Sequence, residues 1–232
     1  MAKRNATTAV ADKTTAVRTE PGTTPGAAED WRSYKPLELT PILAAALDAF
    51  YEHGFHGTTV RDIARRVGQT VPSLYYHHEN KEGVFAALLE MGTGDAAWRI
   101  KAAAAEGGDR PDVQLANVIE AITLHMTYRG KLAALDPELR YLGPDNRRRY
   151  AARRKEIENL LVGIIENGVR RGFFSTMLPA DTARALLGMC QSIARWYRPD
   201  GRLTPPEVAG RYIAIALLAA GANNPCVPAE HV

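Results

Sequence analysis

The chain has 232 residues, 46% of them hydrophobic and 24% charged, and a formal net charge of +3. This composition suits a chain that buries a real core; it excludes a low-complexity polymer and, with only two cysteines, a disulfide framework. The longest apolar run, 213–222, is too short to span a bilayer and the N-terminus lacks a hydrophobic signal region, so no membrane partner or export is expected, and a cytoplasmic location is.

In chain order, residues 1–33 are expected to form a disordered tail. Between positions 2 and 30 the large apolar residues are Val10 and Val17, too few to offset the entropy of ordering. Lys3, Arg4, Lys13 and Arg18 could serve as a basic arm on DNA; a plain leader is the simpler reading. Thr40 and Pro41 open a first helix as cap and first-turn proline. Leu43, Ala46, Leu47 and Phe50 form its inner stripe, and Gly54 is predicted to stop it. Thr58 or Thr59 caps a second helix, with Asp62 three residues after Thr59 in a near capping-box arrangement. Val60, Ile63, Ala64 and Val67 recur there at helical spacing, and Gly68 ends the helix where a positive φ is required. Thr70 starts a third helix, with Pro72 tolerated in its first turn and Leu74 pointing inward. Asn80 caps a fourth from Lys81 through Phe85, Leu88 and Leu89. Gly92 and Gly94 predict a bend or hinge before Trp98.

Beyond Gly108 the helical period continues in three stripes: Leu115 to Met126, Ile157 to Gly168, and Ala183 to Tyr197, the last ended by Pro199. The final helix follows Thr204-Pro205 and is apolar nearly all round from 212 to 220. Such a helix needs burial on two sides, and a partner subunit is the expected second side. No β-alternation or internal repeat occurs, so the fold class is all-α.

Two short helices crossing at a glycine turn form a helix-turn-helix, which presents its second helix to the DNA major groove. Thr70 and Ser73 could read base edges, and Val71 and Pro72 could meet a thymine methyl. Tyr75, Tyr76 and His77 bring hydroxyls and a ring nitrogen suited to phosphates, and Arg61 could reach either. Tyr75 has an equal alternative as a core ring with only its hydroxyl exposed. Residues 40–90 carry four Arg and Lys against six Asp and Glu, so the motif and not a basic footprint makes the argument.

Gly54-x-x-x-Thr58-Thr59, Asp62-Ile63-Ala64, Gly68, Leu74-Tyr75-x-His77 and Lys81-Glu82 together resemble the N-terminal domain of TetR-family transcriptional regulators. Gln69, in place of a small hydrophobe, and His78, in place of Phe, depart from that pattern. The resemblance implies phosphate contacts from Thr59, Tyr75, His77 and Lys81, and base reading by residues 70–73 and Tyr76. Thr58 and Arg61 complete the candidate DNA-binding set.

Arg147, Arg148, Arg149, Arg153, Arg154 and Lys155 form a cationic run with two readings, a solvated helix face or the mouth of a pocket for an anionic ligand. The runs 138–142, Gly168-x-x-x-Gly172 and 194–204 resemble the ligand domain of a TetR subgroup that controls fatty-acid and sterol catabolism. Because that subgroup includes sensors of acyl-CoA thioesters, the resemblance implies a small hydrophobic or acyl-CoA-like effector. Met126, Tyr141 and Trp196 are the candidate pocket wall, and Arg153, Arg154 and Arg195 the candidate anionic anchors. Trp196 and Tyr197 could instead anchor a dimer.

The expected organisation is a DNA-binding domain at 34–90, a ligand-binding and dimerisation domain at 91–222, and a flexible C-terminus at 223–232. No nucleophile elbow or phosphate loop occurs, and the adjacent His77 and His78 point to different sides of a helix, so neither catalysis nor a metal or other cofactor is expected. The whole reads as a homodimeric, ligand-responsive repressor of palindromic double-stranded operator DNA. The alternatives are an all-α enzyme or carrier with a helix-turn-helix-like element, or an activator of the same fold.

Overall fold

The structure, a computed structural model, describes residues 29–222. Residues 1–28 and 223–232, with the expected basic arm, most of the tail, the flexible C-terminus and Cys226, lie outside the described residues. Among the described residues every regular element is helical, and no helix is long and apolar enough to cross a membrane.

Helix α1 (Pro41–Gly57) begins where Thr40 Oγ1 accepts from the Leu43 N–H. Gly54, at φ 69° and ψ 175°, breaks it as expected, but a further turn follows before the chain leaves. Helices α2 (Val60–Val67) and α3 (Val71–His77) form the helix-turn-helix. Helix α4 (Lys81–Glu106), capped by Asn80, runs unbroken through Gly92 and Gly94, so the expected hinge is absent. The two glycines serve close approach instead. A Cβ on Gly92 would lie 3.5 Å from the Leu132 Cβ, and one on Gly94 would lie 3.4 Å from the Arg153 guanidinium. Tertiary packing outweighs the roughly 1 kcal/mol that each glycine costs a helix.

Helix α5 (Pro111–Tyr128) is buried almost all round and forms the axis of the second half. Around it pack α4, α7 (Pro144–Arg170), α8 (Pro179–Gln191) and α10 (Pro205–Ala220). The stripe 183–197 is not one helix. It breaks at Ser192 into α8 and the single turn α9 (Ile193–Trp196). Between α5 and α7 lie α6 (Gly130–Ala133) and a 3-10 helix, Asp136–Tyr141.

Two large hydrophobic cores result among the described residues, beside a small cluster of Ile193, Tyr197 and Val208, and the chain passes between the two large ones four times. Leu132, Leu135 and Leu142 sit in the N-terminal core with Phe50, Ile63, Leu74 and Phe85. Conversely, Trp31, only 3% exposed, belongs to the core around α5. Residues 31–33 therefore do not belong to the tail expected over 1–33. Composition undercounted this segment because one tryptophan and a few carbonyls suffice to hold it. Trp31 Nε1 donates to Glu106 at 2.6 Å, Arg32 grips Glu120 at 2.8 and 3.1 Å, and Arg99 donates to the carbonyls of Trp31 and Ser33 at 2.6 and 2.9 Å.

That strap, 31–35, is tied to α4 and α5 through one buried carboxylate. Asp95 accepts from Arg99 Nε at 3.0 Å, Arg129 Nε at 3.1 Å and Trp98 Nε1 at 3.2 Å, with His125 Nδ1 at 3.5 Å. Both arginines lie over the Tyr34 ring, and Arg129 also donates to the Lys35 carbonyl. Burial alone would raise the Asp95 carboxyl, but His125 and Arg99 hold it well below the usual carboxylate range. Cys190 is a free thiol buried in the α5 core, where burial pushes it up to about 12 and leaves it unreactive.

Candidate DNA-reading face and effector cavity

Helix α2 starts with a reciprocal capping box. Thr59 Oγ1 accepts from the Asp62 N–H at 3.2 Å, and Asp62 accepts from the Thr59 N–H at 3.1 Å. Gly68 closes it in the left-handed region at φ 69°, ψ 27°, its N–H turned back to the carbonyls of Ala64 and Arg65. This turn sets α3 across α2, and the fully buried Leu74 pins α3 to the core.

The pinning leaves Thr70, Pro72, Tyr75 and Tyr76 on the outside, with Tyr76 87% exposed. Tyr75 is exposed too, so it is not a sealed core ring. Val71 is half-buried against the core, which reduces what it could offer a thymine methyl. Ser73 donates to Gln69 Oε1 at 3.2 Å; the residue departing from the family pattern braces the turn. The side chain of His77 lies outside the described residues, and His78 is half-buried. Arg65 and Arg66 are held by Asp62 and Glu52 at 2.7 and 2.6 Å, whereas Arg61 is exposed with no ion-pair partner among the described residues.

Two expected contacts have other positions. Thr58 is 1% exposed, and its hydroxyl is directed to the carbonyls of Ala49 and Gly54 at 3.0 and 2.9 Å, so its side chain is closed to DNA. Lys81 is half-buried. Its Nζ donates to the carbonyls of Phe55 and Thr58 at 2.7 and 2.9 Å and lies over the Phe55 ring, while burial lowers its pKa. Two of its three N–H groups thus hold the chain that leads into α2. Lys81→Ala is expected to destabilise the protein by about 1–2 kcal/mol, a charged-group hydrogen bond discounted for partial exposure. Urea denaturation reads this directly. A variant as stable as the parent, but weaker on every DNA sequence, would return Lys81 to the role of a phosphate contact.

The second site is a cavity of about 690 Å³, its mouth included, between α4, α5, α6, α7 and α8. Its wall is apolar, with Leu88, Ile100, Ile122, Met126, Leu132 and Ile157 among the lining residues. Polar groups collect at one rim: Asp136, Tyr150, Arg154 and Gln191. The Tyr150 hydroxyl donates to the Asp136 carboxylate, as does Arg154 Nη1 at 3.0 Å; burial, then Asp136, push the Tyr150 phenol well up. An adjoining cleft shares Met126, Asp136, Arg154 and Gln191 and adds Arg195, which is exposed with no side-chain partner among the described residues.

Of the expected effector residues, Met126, Arg154 and Arg195 thus gather at one opening. Arg153 faces a neighbouring groove, bound to Glu90 at 3.2 Å. Tyr141 is removed from the cavity, stacked on Phe55 at 5.3 Å and edge-on to His56 at 4.1 Å. Trp196 is on the outer surface beside Tyr212 at 6.4 Å. The cationic run divides: Arg147 caps the carbonyls of Arg140 and Leu142, and Arg148 and Arg149 pair with Asp145 and Asn146. Asp136, Tyr150 and Gln191 were not legible as site residues. Nor was His125, although a lone histidine inside an apolar stripe was a usable signal.

A helix-turn-helix with an exposed reading face, joined to a helical body with an apolar cavity open on one side, defines a ligand-controlled DNA-binding regulator. Residues 42–88 match the family "Bacterial regulatory proteins, tetR family", and 108–220 match "Tetracyclin repressor-like, C-terminal domain". The transcriptional repressor KstR2 of Rhodococcus jostii is 31% identical over 196 residues, covering 84% of this chain and 96% of the relative. The solved ketosteroid transcriptional regulator KstR2 of Mycobacterium tuberculosis superposes with a TM-score of 0.69 at 26% identity, over 78% of this chain and 94% of that one. AibR, solved with isovaleryl coenzyme A and operator DNA, shares the fold at a TM-score of 0.69 and 24% identity, over 78% and 97% of the two chains. The chain belongs to the TetR family of bacterial transcriptional regulators. It is a ligand-responsive repressor and not an enzyme.

Proposed function

We propose that this repressor acts in the cytoplasm as a homodimer on a palindromic operator and releases it on binding an acyl-CoA thioester. The observation that carries the effector class is the pairing of an apolar cavity with a cationic opening formed by Arg154 and Arg195. An acyl group would fill the apolar wall, and the phosphates of the carrier would lie outside, where guanidinium groups match their geometry. AibR, a protein of the same fold solved with isovaleryl coenzyme A, supports that class.

Thr59, Arg61, Thr70, Pro72, Ser73, Tyr75 and Tyr76 are the proposed DNA contacts, with Tyr76 reading bases. Dimerisation would use the outer faces of α8 and α10; on α10, Ile215 and Leu218 stand exposed, Leu218 at 73%. Pairing both helices with their copies gives a four-helix interface. The two recognition helices would then address half-sites about 34–36 Å apart. Ligand would favour a conformer with a different spacing and lower operator affinity by a coupling energy of about 1–3 kcal/mol.

The test is operator release titrated with a panel of CoA esters and the matching free acids. Arg195→Ala is expected to leave operator binding intact and raise the half-release concentration about tenfold or more, the loss of a charge-assisted hydrogen bond. Release by an uncharged hydrophobe, with none by any CoA ester, would remove the thioester reading.

A further inference from the structure

The 3-10 helix Asp136–Tyr141 touches both working parts of the molecule. Its first residue stands at the cavity rim, held by Tyr150 and by Arg154 at 3.0 Å. Two residues on, Glu138 Oε2 accepts from the backbone N–H of Phe55 at 3.0 Å. Phe55 directly follows Gly54, the point where α1 breaks. The same carboxylate oxygen lies 3.7 Å from where a Gly54 Cβ would be. Tyr141 completes the seat by stacking on Phe55 and meeting His56 edge-on, and Leu135 and Leu142 on either side are buried in the N-terminal core.

The turn that Glu138 holds is the one that carries α2. Thr58 bonds to the Gly54 carbonyl, Lys81 to the carbonyls of Phe55 and Thr58, and Thr59 is the α2 cap. Direct contacts therefore run from the Asp136 carboxylate to the N-terminus of the helix-turn-helix. The middle element is a short 3-10 connector, whose hydrogen-bond geometry is poorer than that of an α-helix.

We propose that Glu138 is a positioning residue for DNA recognition. It sets the break in α1 through the Phe55 amide, and so the seat of α2, and transmits changes at Asp136. An anion taking Arg154 would leave Asp136 held by the Tyr150 hydroxyl alone and so loosen the first turn of the 3-10 helix. The physiological sense of this rests on the cavity being the effector site; the mechanical link from Asp136 to Phe55 does not.

The experiment is amide hydrogen exchange on the full-length protein without ligand, resolved to Phe55 and referenced to amides in the middle of α5. Glu138→Ala is expected to speed exchange at Phe55 about tenfold or more, since a charged acceptor is lost. Glu138→Gln keeps an acceptor of the same shape and is expected to show a smaller rise, which guards against misfolding of the alanine variant. Asp136→Asn and Arg154→Ala are each expected to speed exchange at Phe55 by about twofold to threefold, as a local opening that leaves α5 unchanged. Adding Asp136→Asn to Glu138→Ala is expected to give no further rise, as for two residues on one path. Unchanged exchange at Phe55 in both Asp136→Asn and Arg154→Ala would overturn the transmission. Unchanged exchange in Glu138→Ala would overturn the positioning role. Neither result bears on CoA esters, and a failed ester titration leaves the link standing.

Discussion

Replacing Asp95 with Ala is expected to destabilise the α4–α5 body by about 3–5 kcal/mol, the cost of leaving buried charges without their counterion. Arg99 and Arg129 are almost wholly buried and both direct Nε at this one carboxylate, at 3.0 and 3.1 Å. With Asp95 gone, two guanidinium groups and His125 face one another in a site from which water is largely excluded. The strap 31–35 would loosen with them, because both arginines also hold its carbonyls and its Tyr34 ring. Asp95→Asn keeps the shape and loses the charge, so it is expected to fall between. The Asp95 carboxyl is depressed in the folded state, so its contribution is fully present above the ordinary carboxylate pKa of about 4 and is lost as the pH falls below that. The gap between parent and Asp95→Ala should therefore narrow below about pH 4, without closing at pH 3, where the depressed carboxyl is still ionised in the folded protein. Urea titrations at neutral pH and at about pH 3 measure both effects; a neutral-pH loss below about 1 kcal/mol would mean that water reaches and solvates the arginines.

Leu74→Ala is expected to cost about 2–5 kcal/mol, the range for deleting a buried leucine side chain, and to abolish operator binding. Leu74 is the one fully buried side chain among those described in α3 and joins it to Ile63 of α2 and Phe85 of α4. A seven-residue helix has no stability of its own, so without that anchor the reading face has nothing to hold its angle. The core around α5 is a separate cluster, and the variant is expected to keep its sedimentation behaviour while losing DNA binding. Tryptophan fluorescence follows that second core, since Trp31 and Trp98 both lie in or against it. If the fluorescence transition falls as far as the loss of operator binding, the two cores unfold together through the shared segment 132–142.

Much of the N-terminal half was legible because its signals are local. The capping box at Thr59 and Asp62, the left-handed Gly68, the inward Leu74 and the Asn80 cap each depend on neighbours a few residues away. The same habit misled where a residue's meaning is set at long range. Gly92 and Gly94 resemble helix breakers from within α4, but the side chains packed on them come from positions 132 and 153. Thr58 and Lys81 carry the polar groups that a phosphate would want, yet the break at Gly54 brings unmet carbonyls within their reach first. Of the six expected effector residues, Met126, Arg154 and Arg195 share an opening. Tyr141 belongs to the other core, because the 3-10 helix carries it back across the molecule.

The sequence by itself determined the all-α class, the helix-turn-helix and the resemblance to a regulator family, since these rest on helical period, capping and glycine placement. Only the tertiary structure decided which of the arginines face a cavity, that Glu138 holds the break in α1, and that the strap at Trp31 is locked to Asp95. Those relations join residues 18 to 94 positions apart. No local pattern encodes them. They exist because buried charges and unmet backbone groups must find partners wherever packing brings them together.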